Sequence, residues 1–266
     1  MDIKKVQCIV VGAGPGGYAA AFYAAEKGLQ VILIDQSDSL GGVCLNRGCI
    51  PSKALLHATE VLEETAHAAE MGIECDKPKV NLKKLNDWKN KSVQKLSGGI
   101  KFLAKSRNVN VLEGRVHFEG EDLLRVETDK GQDFYNFDHC ILAVGSKPLL
   151  PKIFDIGSKR VLTSTEALNI ESIPDSLLVI GGGYIGLELG TVYSRLGSKV
   201  DLVEAQDQIL LGADRDLVKP VQTYITKHFN SVSLGTSVKS LSTDKKQIKA
   251  EIVSPDAKTS SILYDK

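Results

Sequence analysis

The stretch CIVVGAGPGGYAAAFYAAEKGLQVILID, residues 8–35, runs from a β-branched segment through a glycine turn and a helix of small residues to a second apolar segment that ends on a carboxylate. The layout returns in LLVIGGGYIGLELGTVYSRLGSKVDLVE, residues 177–204, at a constant offset of 169 residues. Gly12, Gly14, Gly17, Gly28 and Asp35 correspond to Gly181, Gly183, Gly186, Gly197 and Glu204. One GxGxxG is a weak signal. Here each copy follows an apolar strand, opens a helix and is answered 23 residues later by an acid at the end of the next strand. The first glycine makes a tight turn, the second lets backbone approach a pyrophosphate, and the third packs helix against strand. The N–H groups that begin the helix then hold phosphate. Asp35 and Glu204 would each accept a ribose 2′-hydroxyl and repel a 2′-phosphate, so neither site favours NADP. The bland alternative, ordinary glycine turns of an α/β sheet, must produce every one of these features twice in register.

Outward from these repeats, 266 residues suffice for two ordinary domains with cores of their own. The expected fold is α/β, two Rossmann-like dinucleotide-binding domains, each a parallel sheet with an antiparallel meander. The boundary is set near Pro148 and Pro151, giving 1–148 and 149–266. Helices are expected over Ser52–Met71, over about Leu82–Ser106, with Gly98-Gly99 a point at which it could break, and over Asp214–Phe229. Short alternating runs between Val109 and Val144 predict antiparallel strands, with further strands at SVKSL and IKAEIV. Basic and acidic side chains balance at 33 each, which favours neither nucleic acid nor an anionic membrane surface. The start lacks the pattern of a signal peptide, and no apolar run approaches the ~18 residues of a membrane span. The chain reads as cytoplasmic, where a close cysteine pair is more often catalytic or metal-binding than structural.

Such a pair occurs in GGVCLNRGCIPSKALL, residues 41–56, at Cys44 and Cys49. Five residues along a regular helix separate Cα atoms by roughly 8–9 Å, and a disulfide needs them within about 7 Å. A Cys44–Cys49 bond is therefore open only to an irregular turn, for which Gly48 supplies freedom, with Pro51 suited to the first turn of a following helix. Zinc would want a second pair of ligands at similar spacing, and Cys8, Cys75 and Cys140 do not provide one, so no metal site is expected. These three read as buried or incidental thiols. A thiolate at a helix start, near Arg47 and Lys53, is stabilised by the positive helix end and by the cations. Reversible two-electron chemistry is within the means of the pair.

GGVCLNRGCIPSKALL resembles the redox-active disulfide motif of the flavoprotein pyridine nucleotide-disulfide oxidoreductases, particularly the dihydrolipoamide dehydrogenase branch serving 2-oxoacid dehydrogenase complexes. GGGYIGLELG with Glu204 is similar to that family's NAD site, and STEALNIESIP to its linker. The resemblance covers essentially the whole chain. It implies that FAD is held by Gly12, Gly14, Pro15, Gly16, Gly17 and Asp35, with Gly41, Gly42, Val43 and Cys44 along the flavin. Cys44 would be the interchange thiol that meets lipoyl sulfur, and Cys49 the thiol in charge-transfer contact with the flavin. Lys53 would lie near flavin N5 and pair with Glu188, a carboxylate otherwise out of place on an apolar helix. Val116 would contact FAD through its backbone, as would Val144, Gly145 and Ser146. Val144 replaces the family's usual threonine and removes its hydroxyl. NAD would fall to Gly181, Gly182, Gly183, Tyr184, Ile185, Gly186, Leu187, Glu188, Glu204 and Val238, with Tyr184 able to cover the nicotinamide. Core packing for Val116, helix packing for Tyr184 and simple exposure for Lys53 remain the alternatives.

The implied function is oxidation of protein-bound dihydrolipoamide by NAD⁺, with a lipoyl domain as partner and a homodimer as the family's assembly. The family extends roughly two hundred residues further and supplies a catalytic histidine from its interface domain. His57, His67, His117, His139 and His228 match none of that context and are expected to be surface or packing residues. The expectation is an N-terminal portion with impaired thiol exchange, since acid-base assistance contributes about 10²–10⁴ in rate. A glutathione- or mercuric-type reductase and a noncatalytic nucleotide-binding protein are the competing readings.

Overall fold

The computed structural model describes residues 3–76 and 78–266. The chain divides into two compact units, one formed by residues up to Pro51 with Asn90–Lys147, the other by Ser52–Lys89 with Pro148–Lys266.

In the first unit, β1 (Ile3–Val11), α1 (Pro15–Glu26) and β2 (Val31–Asp35) realise the first repeat. The two strands are parallel, with Cys8 opposite Val31 and Val11 opposite Ile34. Gly17 has to be glycine, because a Cβ there would lie 1.7 Å from the Gly12 carbonyl oxygen. The short helix α2 (Gly42–Arg47) follows, and the long helix α3 (Cys49–Ala68), which ends in a 3₁₀ turn at Ala69–Met71, belongs to the second unit from Ser52 onward. The chain re-enters the first unit at Asn90 within α4 (Leu82–Ser106), and β3 (Asn110–Glu113), β4 (Arg115–Phe118), β5 (Leu123–Thr128) and β6 (Gly131–Leu142) follow. The sheet order is β3-β2-β1-β6-β5-β4, parallel from β3 to β6 and antiparallel from β6 to β4.

Two expectations need correction. The segment opening at Val109 is not part of the antiparallel set: β3 pairs parallel with β2, Ile32 opposite Asn110. A helical crossover returns the chain to the sheet in the same direction, and the alternation of an edge strand carries no information on direction. The helix over Leu82–Ser106 is also unbroken at Gly98-Gly99. Added Cβ atoms at either glycine would meet nothing within 4 Å, so both face open space. Two glycines cost a helix about 1 kcal/mol each, and burial of Ile100 and Ala104 with Val10 and Leu33 offsets this. The opposite sheet face is covered by β4 and β5, with Ile9, Ile34, Leu124, Val126 and Phe137 buried together.

In the second unit, α5 (Ser164–Ala167) opens with a Thr163–Glu166 capping box. Then β7 (Ser176–Ile180), α6 (Tyr184–Leu196), β8 (Lys199–Val203), α7 (Arg215–His228) and β9 (Ser231–Ser233) build a parallel sheet of order β7-β8-β9. Gly186 repeats the role of Gly17, its Cβ falling 2.5 Å from the Gly181 oxygen. β10 (Ser237–Asp244), β11 (Gln247–Val253) and β12 (Thr259–Tyr264) form an antiparallel meander. The unit's core gathers Leu55, Val192, Tyr193, Val200, Leu202, Ile209 and Ile225. The expected α/β class, a parallel sheet with antiparallel strands occurring twice, is what the chain adopts. Among the described residues no helix is long and apolar enough to cross a membrane.

Candidate active site

Three segments converge at the carboxyl end of β1. The Gly41 N–H donates to Ala13 O at 2.9 Å, and Gly42 packs on Gly14 so closely that a Cβ would sit 2.5 Å from its Cα. The Ala143 N–H donates to Val11 O at 2.8 Å, which brings Val144 alongside Gly12 and leaves Gly145 and Ser146 exposed beyond it. The Gly114 N–H donates to Asp35 O at 2.8 Å and places Val116 nearby. Val11, Gly12, Ile34, Asp35, Gln36, Gly114, Arg115, Val116 and Val144 line a cavity of about 180 Å³. The cavity brings Gly12 of the turn together with Asp35, Val116 and Val144. Gln36 and Arg115 are additional lining residues. Gln36 follows Asp35 directly and could have been inferred, whereas nothing local marks Arg115.

Helix α1 begins with Gly14 at its N-cap and Pro15 at its first position, and no side chain caps it. Its positive end and exposed Gly16 backbone suit a phosphate group. Asp35 uses one oxygen to accept the Ala13 N–H at 2.6 Å and the other to accept the Ser37 N–H at 2.9 Å. A carboxylate has about four acceptor positions, so capacity remains for ribose. Phosphate-binding turn, acid and cleft in one place are a donor set that fits the ADP half of a dinucleotide.

The cysteine turn is irregular. Helix α2 ends at Gly48, with φ −147° and ψ −113°, and α3 starts afresh at Cys49. A Cβ on Gly48 would come within 3.0 Å of Val43 O and 3.3 Å of Cys44 Cα, so any side chain would push the two helices apart. Cys44 is half-buried and Cys49 exposed; Val43 is 40% exposed. Cys8 and Cys140 lie on β1 and β6, and burial pushes both thiols up. Cys75 is exposed, its thiol 3.6 Å from Thr65 O.

The second unit repeats the first turn. Glu204 accepts the Gly182 N–H at 2.6 Å and the Gln206 N–H at 2.8 Å, the counterparts of the Asp35 contacts. Gly183 caps α6 without a side-chain partner. Tyr184 and Ile185 are exposed at the first turn, while Leu187 is buried and can offer only backbone. The Thr236 N–H donates to Glu204 O at 2.9 Å, which sets the start of β10 beside the acid. Val238 itself is buried against Leu241, Ile252 and Val203.

Glu188 is held by α3. Lys53 Nζ donates to Oε1 at 2.7 Å and Ser52 Oγ donates to Oε2 at 3.0 Å. The carboxylate that looked out of place on an apolar helix is therefore satisfied twice. Ser52 was not anticipated, because its partner lies 136 residues away. The Lys53 side chain is 57% exposed and that of Glu188 25%. A partly exposed pair of this kind contributes about 0–1 kcal/mol, less than the roughly 1.5–2 kcal/mol of rotamer entropy a fixed lysine loses. The ion pair by itself would not keep Lys53 in one place.

A second polar cluster joins α3, α6 and α7. Arg195 NH2 lies 2.7 Å from Glu63 Oε2, and the Tyr224 hydroxyl donates to Glu63 while accepting from Arg195 Nε at 2.9 Å. His228 stacks on Tyr224 with ring centroids 4.1 Å apart and brings Nδ1 within 3.5 Å of Glu63. His228 is thus more than the surface or packing residue expected. His57 packs near Trp88, and His67 and His139 are exposed.

The family model described as pyridine nucleotide-disulphide oxidoreductase matches residues 6–265. Dihydrolipoyl dehydrogenase of Vibrio cholerae is 41% identical over 261 residues, 98% of this chain and 55% of that protein. Its counterpart from Staphylococcus aureus is 44% identical over 218 residues, 82% of this chain and 46% of that protein. Among solved structures, the Cu(II) complex of the HOCl-induced flavoprotein disulfide reductase RclA from Escherichia coli superposes with a TM-score of 0.82 at 27% identity. That match covers 99% of this chain and 55% of the other. The chain spans about half the length of the curated relatives it matches. By the extent of these matches and by its repeated dinucleotide turns, the chain belongs to the pyridine nucleotide-disulphide oxidoreductases.

Proposed function

We propose that the chain carries the disulfide and nucleotide sites of an FAD-dependent dithiol:NAD⁺ oxidoreductase acting on protein-bound dihydrolipoamide. The observation that carries the reading is the break at Gly48, which sets Cys44 and Cys49 on separate helices next to a dinucleotide turn. In this reading FAD occupies the first unit, along Gly12–Gly17, Asp35, Gly41–Cys44, Val116 and Val144–Ser146. NAD occupies the second, along Gly181–Glu188 and Glu204, with the backbone near Val238 at its edge. The partner is the lipoyl domain of a 2-oxoacid dehydrogenase complex.

A lipoyl thiolate attacks Sγ of Cys44 in the oxidised pair. The Cys44–Cys49 bond breaks, and its electron pair remains on Cys49 as a thiolate, which the start of α3 stabilises. The second lipoyl thiol, on losing its proton, displaces Cys44, closes the lipoyl disulfide and leaves both cysteines reduced. A bound FAD would supply the two-electron acceptor for the reduced cysteine pair and the hydride donor for NAD⁺. Lys53, held by Glu188, is the cation this reading would assign to the flavin. Asp35 and Glu204 anchor the two adenosine riboses.

Comparing coenzymes and disulfides tests this reading on the flavin-loaded protein. NADH should reduce it in preference to NADPH by about tenfold or more, since a like charge set against Glu204 costs several kcal/mol. Lipoamide should be turned over in preference to glutathione disulfide. Preference for NADPH or for glutathione disulfide contradicts the assignment.

A further inference from the structure

Two consecutive residues of α3 reach one carboxylate, and they are unlike in every other respect. Ser52 is 6% exposed and acts through a single short rotor, whereas the Lys53 side chain is long and 57% exposed. The other end of the contact is equally firm: Glu188 stands between buried Leu187 and Leu189 on α6. Hydroxyls within helices normally bond back to their own backbone. Thr59, Thr65, Thr191 and Thr223 do so here, each donating to the carbonyl four residues earlier. Ser52, like Ser97 of α4 and Ser194 of α6, donates away from its own helix: it donates to Glu188 Oε2 at 3.0 Å, and the remaining oxygen, Oε1, meets Lys53 Nζ at 2.7 Å.

We propose that Ser52 is a positioning residue: its hydroxyl fixes one oxygen of Glu188 and so aims the other at Lys53, holding the ammonium in a single place. A buried hydroxyl on a helix is a rigid reference point, and a partly exposed ion pair is not. The arrangement transfers the order of the first to the second. The use made of the fixed ammonium rests on the function proposed above; the Ser52–Glu188–Lys53 linkage does not.

Competitive acetylation of lysines at limiting acetic anhydride, read by peptide mass spectrometry, tests the linkage on the protein as purified. Relative to exposed Lys101, Ser52→Ala should raise Lys53 labelling by about two- to fivefold, the range a partly exposed ion pair supports. Ser52→Thr, which keeps the hydroxyl, should restore the original rate. In a Glu188→Gln background Ser52→Ala should add nothing. Unchanged Lys53 labelling in Ser52→Ala, or an equal rise in the Glu188→Gln background, overturns the proposal. The flavin-loaded protein supplies the second readout, the long-wavelength charge-transfer absorbance after two-electron reduction. It should be weaker in Ser52→Ala and recover in Ser52→Thr. A normal band in Ser52→Ala overturns the positioning role alone; no band in the unsubstituted protein overturns the proposed function and with it this use of Lys53.

Discussion

Asp35 and Glu204 each hold two backbone N–H groups, one from the glycine turn and one from the residue two places on. The acid that the proposed function assigns to ribose is also the clamp that shapes the turn, so its removal should act on stability as well as on affinity. Asp35→Asn replaces one acceptor oxygen by a donor, which must face a backbone N–H. Leaving such a group unsatisfied costs about 1–3 kcal/mol, and urea unfolding without flavin should show a loss of that size. Melting like that of the unsubstituted protein would mean the turn keeps its shape unaided. Both acids were legible in the sequence, because a turn and a carboxylate 23 residues apart are linked by one strand–helix–strand passage. Ser52 was not legible: a hydroxyl followed by a lysine acquires its meaning only from Glu188, far along the chain.

Where two helices meet, the deciding residue is Gly48. A Cβ there would stand 3.0 Å from Val43 O, so Gly48→Ala must displace α2 from α3. The expected cost is about 1–3 kcal/mol, as for an overpacked core site, together with slower reduction of the cysteine pair by dithiothreitol. Unaltered stability and reduction rate would show that the turn tolerates a side chain. The contact of α3, α6 and α7 depends in turn on Glu63. Burial pushes its carboxyl up, but hydrogen bonds from Tyr224 and Arg195 and the charge of Arg195 outweigh this and hold it below the usual carboxylate range. A depressed carboxylate stabilises the fold fully above its unfolded value, and that stability is lost as pH falls through the lower, folded value. Thermal melts should therefore show a Glu63-dependent decline below about pH 4.5 that Glu63→Gln lacks. At pH 7 the same substitution should destabilise by about 1–3 kcal/mol. Equal acid sensitivity of the two proteins would contradict the assignment. Helix extents were legible from apolar periodicity, α7 to within one residue at each end. The direction of β3 and the continuity of α4 through two glycines were not, because both are decided by what the element packs against.

At the scale of the molecule, one βαβ unit used twice explains most of the architecture. Each unit sets a glycine turn, a helix start and an acid at the carboxyl end of a parallel sheet, and adds antiparallel strands. The repetition made the fold class readable from two quoted stretches. The cavity beside Asp35 was only partly readable, since Arg115 reaches it from a strand with no motif of its own. The proposed function places its chemistry outside both repeats, where α2 ends at Gly48 and α3 starts at Cys49. If the proposed account is right, Cys44 and Cys49 exchange electrons with a flavin bound in the first unit. Anaerobic titration of the flavin-loaded protein with NADH tests this most directly. The account predicts a long-wavelength charge-transfer band after two electrons, abolished by Cys49→Ser while flavin stays bound; bound flavin with no band, or a band that survives Cys49→Ser, would contradict it.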